Sequence, residues 1–417
     1  MTSVLVVDDS RFVRGVVGDA LTERDFEVAT ASDGREAVAT VRELGPDVVT
    51  MDVEMPGLDG IEATEQILAE RPTPVVMLAA DDDADATLAA LASGAVDFVH
   101  KGGDEDDVDI DTVIDELACT VEAVADVPRA TLVSTTDDPP TGETAADGTP
   151  RTLDAGRHRS ADVESATGRP EATTERPSGA SASDRRGRRV DVDPAVAATG
   201  VSRDADPVAG ETSPTTVVVG ASTGGPSVVE ATLRALPTGL GARVLVVQHM
   251  PEEFTGRLAN RLDRVSDYET REAADGVRVG PDQAVLARGG KHLTVARQAG
   301  SELVLRLTDE APVHNVRPAV DVTMETAAET HGPLDPLVGV VLTGMGSDGA
   351  SGVAAVAAAG GTAIAQDQSS SPVFGMPETA LATGAVDRVA SAADLPAAIR
   401  DAVCDQQCER QREEVHP

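Results

Sequence analysis

Two groups of side chains in this sequence have the types and spacing to do chemistry. Ser222 sits in "GASTGGP" (220–226), directly after the apolar run "TTVVVG"; His249 closes "ARVLVVQH"; Asp348 lies in "LTGMGSDGA". "GASTG" satisfies G-x-S-x-G, a sharp strand-to-helix turn that lifts a hydroxyl to the top of a sheet. A serine hydroxyl is a poor nucleophile until a base takes its proton, and an imidazole base works best when a carboxylate holds its tautomer. His249 and Asp348 would supply those two groups. The turn alone leaves the matter open, because its small residues and the helix N-terminus at Pro226 would hold a phosphate equally well, and a histidine at a strand end often only caps the backbone. The alternative bases, His292 and His314, fall in a hairpin region and before a helix. A rival reading uses Gly344, Gly346 and Gly349 as G-x-G-x-x-G with Asp367 about 20 residues on, the pattern of a dinucleotide site. It leaves Ser222 and His249 idle and sets the Asp348 carboxylate beside a pyrophosphate; in the plainest reading those glycines only permit tight turns. The second group is acidic: Asp8 and Asp9 end the first apolar run, Asp52 ends the third, and Lys101 ends the fifth. Clustered carboxylates repel one another, and an all-oxygen set suits Mg²⁺, which would also bridge an incoming phosphoryl group. Lys101 would add a compact cation beside it.

The elements that must position these groups are legible as alternating patterns. From residue 1 to about 124, five strand-like runs ("SVLVVDD", "FEVATA", "DVVTMD", "PVVMLAA", "DFVHK") alternate with helical segments starting near Arg11, Gly34, Gly60, Asp85 and Asp109. Continuous Val/Leu runs alternating with helices imply a parallel sheet covered on both faces. Residues 125–212 lose all apolar period and are rich in Pro, Thr, Ser, Gly, Asp and Arg, a disordered linker by composition. Order resumes over 213–403, with strands at "TTVVVG", "ARVLVVQH", "QAVLARG", "HLTVAR", "ELVLRLT", "PLVGVVLTG" and "GTAIAQD". The stretch "AVLARGGKHLTVARQAGSELVLRL" reads as a β-meander or pair of hairpins inserted in that α/β domain. Residues 404–417 read as a polar tail.

Bulk properties narrow the function. The formal charge of −38 over 417 residues, with only two lysines, argues against nucleic-acid or anionic-membrane partners. So acidic a chain with no Trp and one Tyr fits a cytosol at high salt, where screening relieves self-repulsion. Three cysteines, Cys119, Cys404 and Cys408, indicate neither a disulfide framework nor a zinc site. No basic-then-apolar leader opens "MTSVLVVDDS" and no apolar stretch reaches spanning length, so a cytoplasmic protein without membrane insertion is expected.

"VVDDS … MDVEMPGLDG … DFVHK" resembles response-regulator receiver domains over residues 1–124. The resemblance implies a flavodoxin-like five-stranded parallel sheet and phosphorylation of Asp52 by a histidine kinase. It also implies Mg²⁺ held by Asp8, Asp9, Asp52 and the Glu54 carbonyl, with Lys101 on the phosphoryl group. Phe98 matches the family's aromatic position; Ala79 and Ala80 stand where a Ser or Thr is usual, and Gly102 where Pro usually follows the lysine. "VVVGASTGGP", "VVQHMP", "FTGRLANRLD", "HNVRPAVDVTM", "GVVLTGMGSDGA" and "QDQSSSPVFGMPETA" together resemble the effector domain of the CheB family of chemotaxis protein-glutamate methylesterases. That resemblance implies a doubly wound parallel sheet, a triad in the order Ser222, His249, Asp348, and Met345 on the oxyanion side through its backbone N–H. It implies methyl-accepting chemotaxis receptors as substrates, glutamine deamidation as a second activity, a monomer, and no cofactor for the ester reaction. Arg288 and Ala319 depart from the family's Pro and Ser, and the linker is longer than usual. The expected regulation is a receiver that covers Ser222 until it is phosphorylated. A non-catalytic adaptor is the competing reading.

Overall fold

The computed structural model describes residues 1–80, 84–101, 110–127, 129, 132, 214–331 and 336–415, the side chains of 409–415 excepted. The linker expected over 125–212 lies outside the described residues apart from its first few positions.

The first domain runs β1 (Ser3–Val7), α1 (Arg11–Thr22), β2 (Glu27–Ala31), α2 (Gly34–Leu44), β3 (Val48–Asp52), α3 (Gly60–Glu70), β4 (Val75–Ala79), α4 (Ala84–Ala92), β5 (Asp97–His100) and α5 (Ile110–Ala125). The strands form a parallel sheet in the order β2-β1-β3-β4-β5. Every residue of β3 and β4 is buried, as expected of strands covered on both faces. Local chemistry sets the helix starts: Asp33 accepts from the N–H groups of Arg35 and Glu36, and Asp59 from that of Glu62. At Gly60 a Cβ would stand 2.0 Å from the Asp52 carbonyl oxygen, so only glycine lets α3 start this close to the end of β3.

The second domain continues with β6 (Thr216–Ala221), α6 (Gly225–Ala235), β7 (Arg243–Gln248), α7 (Glu252–Val265), β8 (Glu269–Glu272), β9 (Arg278–Val279), β10 (Gln283–Leu286), β11 (His292–Ala299) and β12 (Glu302–Thr308). It closes with α8 (Val320–Thr330), β13 (Leu337–Val341), α9 (Ala350–Ala358), β14 (Thr362–Gln366), α10 (Gly375–Ala382), β15 (Arg388–Ala390) and α11 (Leu395–Val415). Its main sheet is parallel, in the order β15-β14-β13-β6-β7-β10-β8. A small antiparallel sheet, β11-β12-β9, stands apart from it. The expected meander therefore needs correction: β10 pairs in parallel with β7 and β8, and only β11 and β12 form a hairpin. Three short strands, β8, β9 and β15, carry too few apolar residues to have been read. Helix α11 runs on past Val403 to Val415, so residues expected as a polar tail continue the element. The Gln406 side chain donates to the Leu337 and Thr362 oxygens and accepts from the Leu337 N–H, and Gln407 donates to Leu240. Adjacent central strands β6 and β13 lead outward in opposite directions, the switch point where open α/β sheets place ligands.

Candidate active site and phosphoacceptor site

In the first domain the acidic group assembles as its spacing predicts. Asp8 and Asp52 are buried, Asp9 is exposed, and one carboxylate oxygen from each lies within 4.8 Å of the others. Lys101 Nζ donates to Asp52 Oδ1 at 2.7 Å and to Asp8 Oδ2 at 3.0 Å. Burial pushes the Asp52 carboxyl up, against the pull of Lys101. Burial works against the Lys101 charge too, but the two carboxylates more than offset it and raise its pKa. Three hard oxygen donors with one lysine to balance them suit a divalent cation of the Mg²⁺ type. Glu54 lines the adjoining cavity with Asp9 and Asp59. Ala79 ends β4 beside this group, and its carbonyl accepts from the Lys101 N–H at 2.7 Å; it carries no hydroxyl to offer a phosphoryl group.

In the second domain Ser222 follows β6 and His249 follows β7, next to the paired residues Ala221 and Gln248. The serine turn is fixed from three sides. Ser222 N–H donates to Thr343 at 3.0 Å, its carbonyl accepts from Gly225 N–H at 2.7 Å, and Gln248 Nε2 donates to the same carbonyl at 2.9 Å. Gly224, at φ +74°, starts α6 without a side-chain cap. Across the switch point Gly344 comes so close that a Cβ there would stand 2.7 Å from Ser222 Cβ and 2.3 Å from Met376 Sδ. Only a residue without a side chain fits.

His249 Nε2 lies 2.7 Å from Asp348 Oδ2, which leaves Nδ1 as the nitrogen able to take a proton. Burial alone would raise the Asp348 carboxyl, but the His249 hydrogen bond and charge, with N–H bonds from Asp321 and Val320, hold it below the usual carboxylate range. Ser222, His249 and Met345 line one cavity of about 330 Å³. No hydrogen bond joins Ser222 Oγ to His249 among the described residues. The Met345 N–H makes no hydrogen bond among the described residues.

The competing assignments fare differently. His292 is buried and committed to backbone, its Nδ1 accepting from Ala319 N–H at 3.2 Å and its Nε2 3.1 Å from the Ala311 carbonyl. His314 pairs with Asp321. The Gly349 N–H is taken by the Asp321 and Asp348 carboxylates, so the dinucleotide pattern lacks that phosphate donor, and Asp367 is engaged by Ser369 and Ser370.

Sequence reasoning missed the groups that the first domain adds. Both domains belong to one compact unit, and the cavity holding Ser222 is also lined by Asp97, Phe98, His100, Glu116 and Thr120 from β5 and α5. Thr223, next to the serine, bonds through its side chain to Asp97, whose carboxyl burial pushes up to about 6 against the pull of Thr223 and the Phe98 N–H. Burial also raises Glu116, against His100. The rings of Phe98 and Phe254 pack with centroids 4.4 Å apart, and His100 stands edge-on to Phe254 at 5.8 Å. No local pattern announces such a contact.

Residues 217–399 match the family model described as CheB methylesterase, and residues 4–111 the response regulator receiver domain. A protein-glutamate methylesterase/protein-glutamine glutaminase of Haloarcula marismortui is 44% identical over 402 residues, covering 96% of this chain and 97% of the relative. One of Halobacterium salinarum is 42% identical over 97% of this chain and 99% of the relative. Among solved structures, the Thermotoga maritima CheB methylesterase catalytic domain is 39% identical, covering 46% of this chain and 99% of that one at a TM-score of 0.43. With these relatives matched end to end, the chain belongs to the protein-glutamate methylesterase/protein-glutamine glutaminase family, as a receiver domain joined to a CheB-type methylesterase domain.

Proposed function

We propose that the chain is a serine-type hydrolase that removes methyl groups from glutamate γ-esters, and amide nitrogen from glutamines, on chemotaxis receptors in the cytoplasm. Among the described residues no helix is long and apolar enough to cross a membrane. The observation that carries the proposal is that His249, held at 2.7 Å by Asp348, lines one cavity with Ser222. Ser222 Oγ attacks the γ-carbonyl while His249 Nδ1 takes its proton. The oxyanion is held by the Met345 N–H, a donor of the kind that contributes about 2.7–4 kcal/mol to the transition state. His249 then returns the proton to the leaving oxygen, releasing methanol, or to nitrogen, releasing ammonia. Water, deprotonated by the same imidazole, cleaves the glutamyl-serine ester to give the free carboxylate and Ser222 again. Asp348 holds the imidazole tautomer and stabilises its charged form.

Asp52 is the phosphoacceptor for a histidine kinase; Asp8, Asp9, Asp52 and the Glu54 carbonyl would hold Mg²⁺, which would offset the charge of the phosphoryl group. Lys101 contacts that group in place of its present bond to Asp52. The receiver inhibits the site in its unphosphorylated form: β5 and α5 fill one wall of the cavity that a receptor helix would have to enter, and phosphorylation shifts the population toward release. The test is methanol release from methylated receptor in molar salt by the full chain and by Ser222→Ala. Loss of release with an unchanged melting transition is expected; a Ser222→Ala protein as fast as the parent refutes the serine mechanism.

A further inference from the structure

Helices α8 and α9 both begin without a side-chain cap of their own: the residues before them are Ala319 and Gly349. Each has N–H groups to satisfy there. Those of α8 are taken by the catalytic carboxylate, with Val320 N–H donating to Asp348 Oδ2 at 2.6 Å and Asp321 N–H to Asp348 Oδ1 at 2.9 Å. Those of α9 are taken by Asp321, whose Oδ1 accepts from Gly349 at 2.9 Å and from Gly352 at 2.7 Å. The two helices thus exchange caps: Asp348, just before α9, caps α8, and Asp321, in the first turn of α8, caps α9. Asp321 is 3% exposed and has one oxygen left, Oδ2, which lies 2.9 Å from His314 Nε2. His314 Nδ1 in turn lies 3.3 Å from Ser347 Oγ, on the loop that carries Asp348. His314 and Asn315 reach this position at φ +53° and +63°, a conformation that residues with side chains keep only where surrounding contacts hold it.

We propose that Asp321, held by His314, is the positioning residue that fixes Asp348 against His249. The inference rests on the serine mechanism above. His249 can hold its productive tautomer only while Asp348 Oδ2 stays in place, and that oxygen is located by α8, which Asp321 ties to the turn before α9. His314, Asp321 and Asp348 also lie close enough to bracket a cation, but their facing oxygens are already committed to N–H groups. The titratable and charged groups around His249 are Asp348, and across the cavity Asp97, His100, Glu116 and Arg317.

The test uses the full-length protein treated with a small-molecule phosphodonor, measuring kcat and KM of methanol release together with thermal melting. Asp321→Ala should lower kcat by about 10–100-fold, the scale of a misplaced catalytic group, with KM near that of the parent. Asp321→Asn retains an acceptor for Gly349 and Gly352 and should recover most of kcat, while His314→Ala should lower kcat several-fold. An Asp321→Ala protein that melts cooperatively and keeps the parent's kcat overturns the proposal; if that variant does not fold, a His314→Ala protein unchanged in kcat overturns it. Ser222→Ala, run beside them, separates the two claims, since activity surviving there refutes the serine mechanism itself.

Discussion

Replacing Asp97 by Asn tests the receiver's hold on the site most directly. Burial at the start of β5, against the Ser222 loop, pushes the Asp97 carboxyl up to about 6 from the 3.8 of a solvated aspartate. A pKa raised by docking means that the docked form binds the proton more tightly, so docking is favoured fully below pH 3.8 and loses that contribution as pH rises to about 6. Above that the ionised carboxylate opposes docking by at most about 3 kcal/mol, an upper bound because Asp97 keeps part of its surface on the cavity. Between pH 5 and 7 the wild-type docking constant should fall about tenfold from this group alone. Asn keeps an acceptor for Thr223 and cannot ionise. At pH 7, Asp97→Asn should therefore dock up to about 100-fold more tightly and show a correspondingly lower basal rate. The assay is methanol release with and without phosphodonor from pH 5 to 7, expressed as the ratio of basal to activated rate so that the pH dependence of the chemical step cancels. The parent's ratio should climb with pH and the variant's should stay low and flat. Equal ratios with equal pH dependence would refute the assignment of Asp97 as a contact that regulates the site.

Asp348→Asn should reduce kcat by about 10⁴-fold, since an amide cannot stabilise the imidazolium, and should lower the melting temperature, since only one of the two oxygens that cap α8 remains an acceptor; initial-rate kinetics on methylated receptor and thermal melting decide it. Gly344→Ala places a Cβ against Ser222 and Met376 and should cost about 10²-fold in kcat, with a lowered melting temperature seen in the same preparation. Chelation of divalent ions should abolish phosphate incorporation into the chain, as Asp52→Asn should, while the basal ester hydrolysis measured alongside stays unchanged.

The parallel architecture was legible because a strand buried on both faces must be apolar throughout, and runs such as "VLVV", "VVMLA" and "RVLVVQ" leave little else for those residues to be. That His249 reaches Asp348 and shares a cavity with Ser222 could be expected for a related reason: the ends of parallel strands converge on one rim. Strands β8 ("ETRE") and β15 ("RVA") escaped notice because pairing to an existing sheet edge, not their own pattern, makes them strands. Strand β10 was assigned to the wrong sheet, since "QAVL" does not encode which edge it will join. Past Val403 helix α11 has no apolar period, and Gln406 and Gln407 tie it to distant backbone instead. Asp321 and Asp97 are the most instructive omissions. One was visible as an acid in a helix's first turn, but not that the helix it caps is another; the other depends on a meeting of two domains that no local spacing records.

The ring contact between Phe98 and Phe254 has a practical consequence for watching this protein work. The chain has no tryptophan and one tyrosine, and that Tyr268 is buried in the second domain, so its ultraviolet emission is almost dark. A single indole introduced at position 254 would glow against that background, and quenching or a spectral shift as the receiver lifts away would let the release be timed in solution without attaching any dye.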